Sequence, residues 1–185
     1  IKELDDDLPN LRVRVYSDYL HSCCQLFSDG TCDFLLCHRH ANGPPFFDET
    51  LVARKDIRVE TFAPVAETTA ATKGGWDLSK KAANDIPYLS YDPASYLGTI
   101  VEQIIGSRQP PLGLRYMDAH AEALKRIALA GSGVAWLPES FIENELASGQ
   151  LVCVGGPEWQ TPLTITAFCS LDRLDNVGQL LWEAL

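Results

Sequence analysis

Residues 124–152 read "LKRIALAGSGVAWLPESFIENELASGQLV". The order is helix, glycine break, four apolar residues, proline, second helix, glycine break, strand. Val134 to Leu137 is long enough to cross a small sheet, and Pro138 suits the first turn of the helix behind it. Strands alternating with helices give parallel sheets covered on both faces. Ligands in open sheets of that kind bind beyond the carboxyl ends of the strands, where unpaired N–H groups of helix starts point outward. The stretch therefore predicts a ligand cleft in an α/β domain.

The same alternation extends upstream. Strand Tyr88 to Tyr91, helix Ser95 to Ile105, strand Leu114 to Met117 and helix Ala119 to Ala130 precede Val134 to Leu137; helix Glu139 to Ala147 and strand Leu151 to Val154 follow it. An earlier series has strand Leu11 to Val15, alternating with arginines, then helix Tyr19 to Ser28, stopped by Asp29-Gly30. Next come the apolar strand Cys32 to Cys37, the loop "HRHANGPPFFD", and two strands, Leu51 to Arg54 and Ile57 to Ala66. Between the series lies "ETTAATKGGWDLS", Glu67 to Ser79, read as a hinge that continues as a loop. "LTITAFC", Leu163 to Cys169, is a strong strand, and Leu174 to Leu185 a closing amphipathic helix. Two series joined by a polar segment predict two lobes. "IKELDDDLPN" reads as a helix tail and a turn at Pro9-Asn10. A parallel sheet normally puts a strand ahead of such a helix, so the protein is expected to extend N-terminally.

Composition narrows the function. Of 185 residues, 46% are hydrophobic and 22% charged, a globular balance. No apolar run approaches the ~20 residues of a membrane span, and the acidic start is no signal peptide. A net charge of −10 argues against this chain gripping phosphate backbones by itself. Six cysteines, Cys23, Cys24, Cys32, Cys37, Cys153 and Cys169, match neither a zinc pattern nor a small disulfide framework. They are either buried thiols of a reducing compartment or include a redox sensor; measured reactivity separates the two.

No enzyme signature is present. Gly131-Ser132-Gly133 follows a helix and lacks phosphate-loop spacing, and neither G-x-S-x-G nor H-E-x-x-H occurs. Cys37, His38 and His40 are three potential metal ligands without a fourth, so no metal and no cofactor is implied. His38 and Arg39, at a strand end, are either ligand-contacting groups or a solvated basic loop. Ser95 and Tyr96 open a helix, where the serine caps the helix, binds an anion, or both. Asp118 is an N-cap candidate. His120, in the next first turn, lines the cleft or faces solvent. Trp136 is core or a stacking platform.

"ALKRIALAGSGVAWLPESFIENELASGQLV" resembles the C-terminal part of LysR-type transcriptional regulators, whose effector domains show an apolar helix, G-x-G, a short strand ending in leucine-proline, a helix and G-x-L-V. Here those features are Gly131, Gly133, Leu137-Pro138 and Gly149 to Val152. "LPNLRVRV" and "SDGTCDFLL" look like earlier segments of the same family, so the resemblance covers nearly the whole chain. "IPYLSYDPASYLGTIVEQII" and "KRIALAGSGVAWLPE" are similar to the hypochlorite-responsive branch, which is associated with methionine oxidation as its signal. This chain departs from that branch: Met117 is its one methionine, and His120 stands where a sensing methionine is placed.

The resemblance implies two Rossmann-like lobes with two crossover segments, a periplasmic binding protein type II-like fold. The crossings fall near Val65 to Thr69 and Gln160 to Thr166. Residues 1–65 form lobe one, with a first strand missing and 166–185 returning to it; residues 66–165 form lobe two. A winged helix-turn-helix, absent from this chain, would carry promoter DNA binding. The implied role is cytoplasmic, non-enzymatic effector sensing and oligomerisation, as homodimer or tetramer, without membrane contact. A small polar or anionic effector, or an oxidant, acts in the inter-lobe cleft. Cys37, His38, Arg39, Ser95, Tyr96, Asp118, His120 and Trp136 are the effector-binding candidates, and Cys37 and Met117 the redox candidates. The rival is an extracytoplasmic solute-binding protein of similar fold, disfavoured by the missing export signal and the scattered cysteines.

Overall fold

The computed structural model describes residues 11–43, 45–80, 85–106 and 108–185, so the expected helix tail and turn at 1–10 lie outside the described residues. The elements are α1 (Leu20–Ser28), β1 (Phe34–Arg39), β2 (Ala53–Glu67), α2 (Thr68–Gly74), β3 (Ile86–Tyr91), α3 (Tyr96–Ile105), β4 (Leu112–Asp118), α4 (Ala121–Leu129), β5 (Ala135–Pro138), α5 (Glu139–Ala147), β6 (Leu151–Cys153), β7 (Thr161–Cys169) and α6 (Asn176–Ala184). The opening stretch folds as read, from α4 to β6. At Gly131, with φ +72°, the N–H donates to Ala128 O at 2.8 Å, closing α4 in a conformation that a Cβ would strain. Pro138 departs slightly from expectation, ending β5 and preceding the first turn of α5.

Two buried clusters mark two lobes. The small one joins Cys24 and Phe27 of α1, Leu35 of β1 and Phe168 of β7. The large one gathers α2 to α5 and β3 to β6 around Trp136, Leu89, Ile100 and Leu124. Two strands cross between them. β2 pairs with β7 over Ala53–Phe62, then with β5 over Phe62–Val65 and β6 over Val65–Glu67. β7 in turn pairs with β1. The hydrogen-bonded path β1-β7-β2-β5 is therefore continuous, because the lobes share their crossing strands.

Four expectations are corrected. Among the described residues the larger sheet is antiparallel in every pair, and parallel pairing is confined to β3–β4 and the single bridge Tyr88–Val134. The long crossing strands, each running against its neighbours, are the reason. The two strands expected at 51–66 are one, because a register shift between Asp56 and Arg58 keeps the charged run "ARKDIR" in the ladder. The hinge and loop at 67–79 open instead with helix α2. There the Glu67 side chain accepts from Thr69 N (2.9 Å) and Ala70 N (2.6 Å), which holds its carboxyl below the usual range. Finally, Leu11 to Val15 is not a strand: Val13 and Val15 are 54% and 76% exposed. An alternating pattern is insufficient where, among the described residues, no neighbouring strand supplies the ladder.

Candidate functional site

The loop after β1 faces the start of α3 across the gap between the lobes. Tyr96, the first residue of α3, reaches over: its phenol oxygen accepts the backbone N–H of His40 at 2.9 Å. Its ring meets Phe46 edge to face, centroids 5.1 Å apart. Gly43 makes this possible, because a Cβ there would lie 2.1 Å from the Tyr96 oxygen. Burial pushes the Tyr96 phenol up, against a smaller opposing pull from the His40 N–H.

Under this contact lies a cavity of about 240 Å³, walled by Arg39, His40, Phe46, Tyr96 and Thr164. It is smaller than the ~300–1,000 Å³ of sites for drug-sized ligands. Arg39 and His40 face it and none of its lining residues is acidic, in a chain of net charge −10. The Arg39 guanidinium sits 5.8 Å over the Phe168 ring, a platform that limits its motion. The geometry suits a compact ligand with a negative or acceptor group.

His40 is fixed in one tautomer. Its Nδ1 accepts from Asn42 N (3.2 Å), so Nε2 carries the proton and donates to Thr161 Oγ1 (2.8 Å). Desolvation lowers its pKa from the ordinary 6.5. Protonation would turn Nδ1 into a donor and break the Asn42 contact. The expected result is that folding stability from this group is full above pH ~6.5 and is lost as pH falls through the lower folded-state value. An NMR titration of the His40 ring checks this; a midpoint at or above 6.5 would contradict it.

The structure brings together some of the sequence candidates. Arg39 and Tyr96 wall the cavity. Cys37 is half-buried against the small core. His38 points elsewhere, its Nε2 2.6 Å from Glu60 Oε1. Ser95 is buried and precedes α3, but its hydroxyl makes no capping bond. Asp118 accepts the backbone N–H of His120 at 2.9 Å, and His120, with 63% of its side chain exposed, is the residue before α4 instead of part of its first turn. Trp136 is 0% exposed in the large core, its indole N–H donating to Trp159 O at 2.8 Å, away from the cavity. Met117 on β4 is 43% exposed. Sequence reading weighed His40 only as a metal ligand and passed over Gly43, Phe46 and Thr164. The signal available was an aromatic pair, Phe46-Phe47, inside a polar Asn-Gly-Pro-Pro loop. Among the described residues no cluster of three His, Cys, Asp or Glu side chains could hold a metal ion, and no helix is long and apolar enough to cross a membrane.

The family described as LysR substrate binding domain matches residues 1–185. The HTH-type transcriptional regulator YjiE of Escherichia coli K12 is 29% identical over 143 residues, 76% of this chain and 47% of that protein. The chain spans about half the length of the curated relatives it matches. Full-length HypT of Salmonella typhimurium, described as a hypochlorite-specific LysR-type transcriptional regulator, superposes with a TM-score of 0.77 at 20% identity, covering 98% of this chain and 61% of that one. The crystal structure of VV2_1132, a LysR family transcriptional regulator, gives 0.79 at 25% identity, covering 99% and 61%.

Proposed function

Because the chain belongs to the LysR substrate-binding domain family, we propose that it is the effector-sensing and oligomerisation domain of a cytoplasmic, non-enzymatic LysR-type regulator, and that its effector is a compact anion bound between the lobes. The observation that carries the ligand class is the small cavity walled by Arg39, His40 and Tyr96 without an acidic residue. An anion there replaces the Tyr96 contact to the loop and shifts the balance of lobe arrangements; a ligand shifts that balance only by its difference in affinity between them. We place the lobe boundary on β2 at residue 65 and the return on β7 at residue 166. The solute-binding rival is not favoured, since the matched relatives are transcriptional regulators.

Promoter binding belongs to a separate N-terminal head. Pairing into a homodimer would use α1 and α4 and join two such heads; monomer alone in sedimentation of the full-length protein would contradict this. Among the remaining sequence candidates, Ser95, Asp118 and His120 are read as effector contacts at the starts of α3 and α4, while His38 and Trp136, which do not line the cavity, are left with structural roles. A second signal is specifically favoured by the exposure of Met117. Hypochlorous acid would leave its oxygen on the Met117 sulfur and depart as chloride and a proton, and Cys37 is the alternative target. In a reporter driven by the full-length protein, Arg39→Ala and Tyr96→Ala are expected to cut the effector response at least about tenfold. A normal response in both would remove the cleft assignment. Met117→Leu should leave that response intact and abolish only a response to hypochlorite.

A further inference from the structure

Glu60 lies on crossing strand β2, and its side chain is 0% exposed. Both of its oxygens are engaged, in opposite directions. Oε1 is 2.6 Å from His38 Nε2 on β1, and Oε2 accepts the N–H of Ser140 in the first turn of α5, also at 2.6 Å. As an ionised carboxylate it can only accept, so His38 donates. β1 belongs to the small-core lobe and α5 to the other, and β1 reaches β2 only across β7. We propose that Glu60 is an inter-lobe clasp, a buried carboxylate that ties His38 of one lobe to the start of α5 in the other and so sets how readily the lobes change their relative position.

The neighbouring contacts have the same direction. Thr61 N donates to Glu139 Oε2 at 3.2 Å, Arg58 pairs with Glu143, and Phe141 lays its ring 6.2 Å from the His38 ring. The run from Arg58 to Thr61 is therefore bound to α5 through Glu139, Glu143 and the Glu60–Ser140 bond, and β1 meets α5 both through the Glu60 hydrogen bonds and through the His38–Phe141 ring contact. If the lobes rotate about β2 and β7, the His38 ring and the Ser140 N–H separate, and a single carboxylate cannot follow both. One oxygen would be left buried without a partner, which disfavours the rotated arrangement. A cavity of about 330 Å³ lined by Val59, Glu60, Glu139 and Gln160 leaves the start of α5 room to move.

The clasp rests on the two-lobed reading of this domain but not on the identity of its effector. Hydrogen–deuterium exchange of the full-length protein without any added ligand tests it. His38 reaches Ser140 only through Glu60, and phenylalanine at position 38 keeps a ring beside Phe141, so a change at 139–142 in that variant reports the carboxylate link and not the ring contact. In His38→Phe, exchange is expected to quicken at least about tenfold in peptides covering 139–142 as well as 34–39, while 86–91 stays unchanged. Glu60→Gln should reproduce the same pattern. Acceleration confined to one end, none at all, or equal acceleration throughout the chain would overturn the clasp, and each would leave effector binding in the cleft untouched.

Discussion

Replacing Trp136 by alanine should lower folding stability by about 3–5 kcal/mol, the range for a fully buried aromatic. Trp136 is wholly buried, stands edge to face with Tyr88 at 5.8 Å, and satisfies the Trp159 carbonyl through its indole N–H. Truncation would remove the ring, open a cavity at the centre of the large core and orphan that carbonyl. The Tyr91 hydroxyl, which donates to the Trp136 carbonyl at 2.9 Å, would lose its alignment when the strand relaxes. Thermal unfolding would show a fall in Tm of roughly 10 °C. If Trp136 were instead a stacking platform for a ligand, the variant would keep its stability and lose binding alone.

Phe168→Ala should cost a similar ~3–5 kcal/mol, and more of it should appear in one lobe. Phe168 is fully buried, meets Phe47 edge to face at 5.1 Å, and is one of four buried residues of the small core. A core of that size has little surplus apolar contact to absorb the loss. The same ring supports the Arg39 guanidinium on the cavity wall. The variant should therefore lose stability and anion affinity together, whereas Trp136→Ala should lose stability with little change in affinity per folded molecule. Denaturant unfolding and ligand titration on the same samples separate the two; unimpaired affinity in folded Phe168→Ala would dismiss the platform role.

Much of this was legible in the residues. The segment from α4 to β6 was readable because its breaks are glycines with a steric reason and its strand is uniformly apolar; in the structure Ala135 to Leu137 are each 0% exposed. The second series, β3 to β4 with α3, was readable for the same reason. β2 was not. Its first half carries Arg54, Lys55, Asp56 and Arg58, and charge of that density reads as a break, yet it forms a ladder because β7 supplies fifteen-residue β2 with a long partner. The helix at Thr68 was also hidden: threonine and glycine are poor helix formers, and what starts it is a cap from Glu67.

The site was half legible for a related reason. Arg39 and Tyr96 sit at junctions of strand and loop or loop and helix, where topology alone directs attention. His40, Gly43 and Thr164 act through distances that no local pattern encodes, such as the approach of Tyr96 from the other lobe to within reach of the His40 N–H. His38 was placed by its neighbour Arg39, but a strand alternates its side chains, so adjacent residues face opposite ways. Its partner, Glu60, is twenty-two residues distant and buried, a pairing visible only in three dimensions.

The proposed function requires that a compact anion bind in the inter-lobe cavity through Arg39 and Tyr96. Thermal unfolding of the full-length protein across a panel of two- to six-carbon mono- and dicarboxylates tests it most directly, with Arg39→Ala and Tyr96→Ala run in parallel. At least one member is expected to raise the wild-type Tm in proportion to the logarithm of its concentration, as linkage requires, and both variants are expected to lose the shift. A panel in which no member shifts the wild type, or in which the variants shift equally, would contradict it.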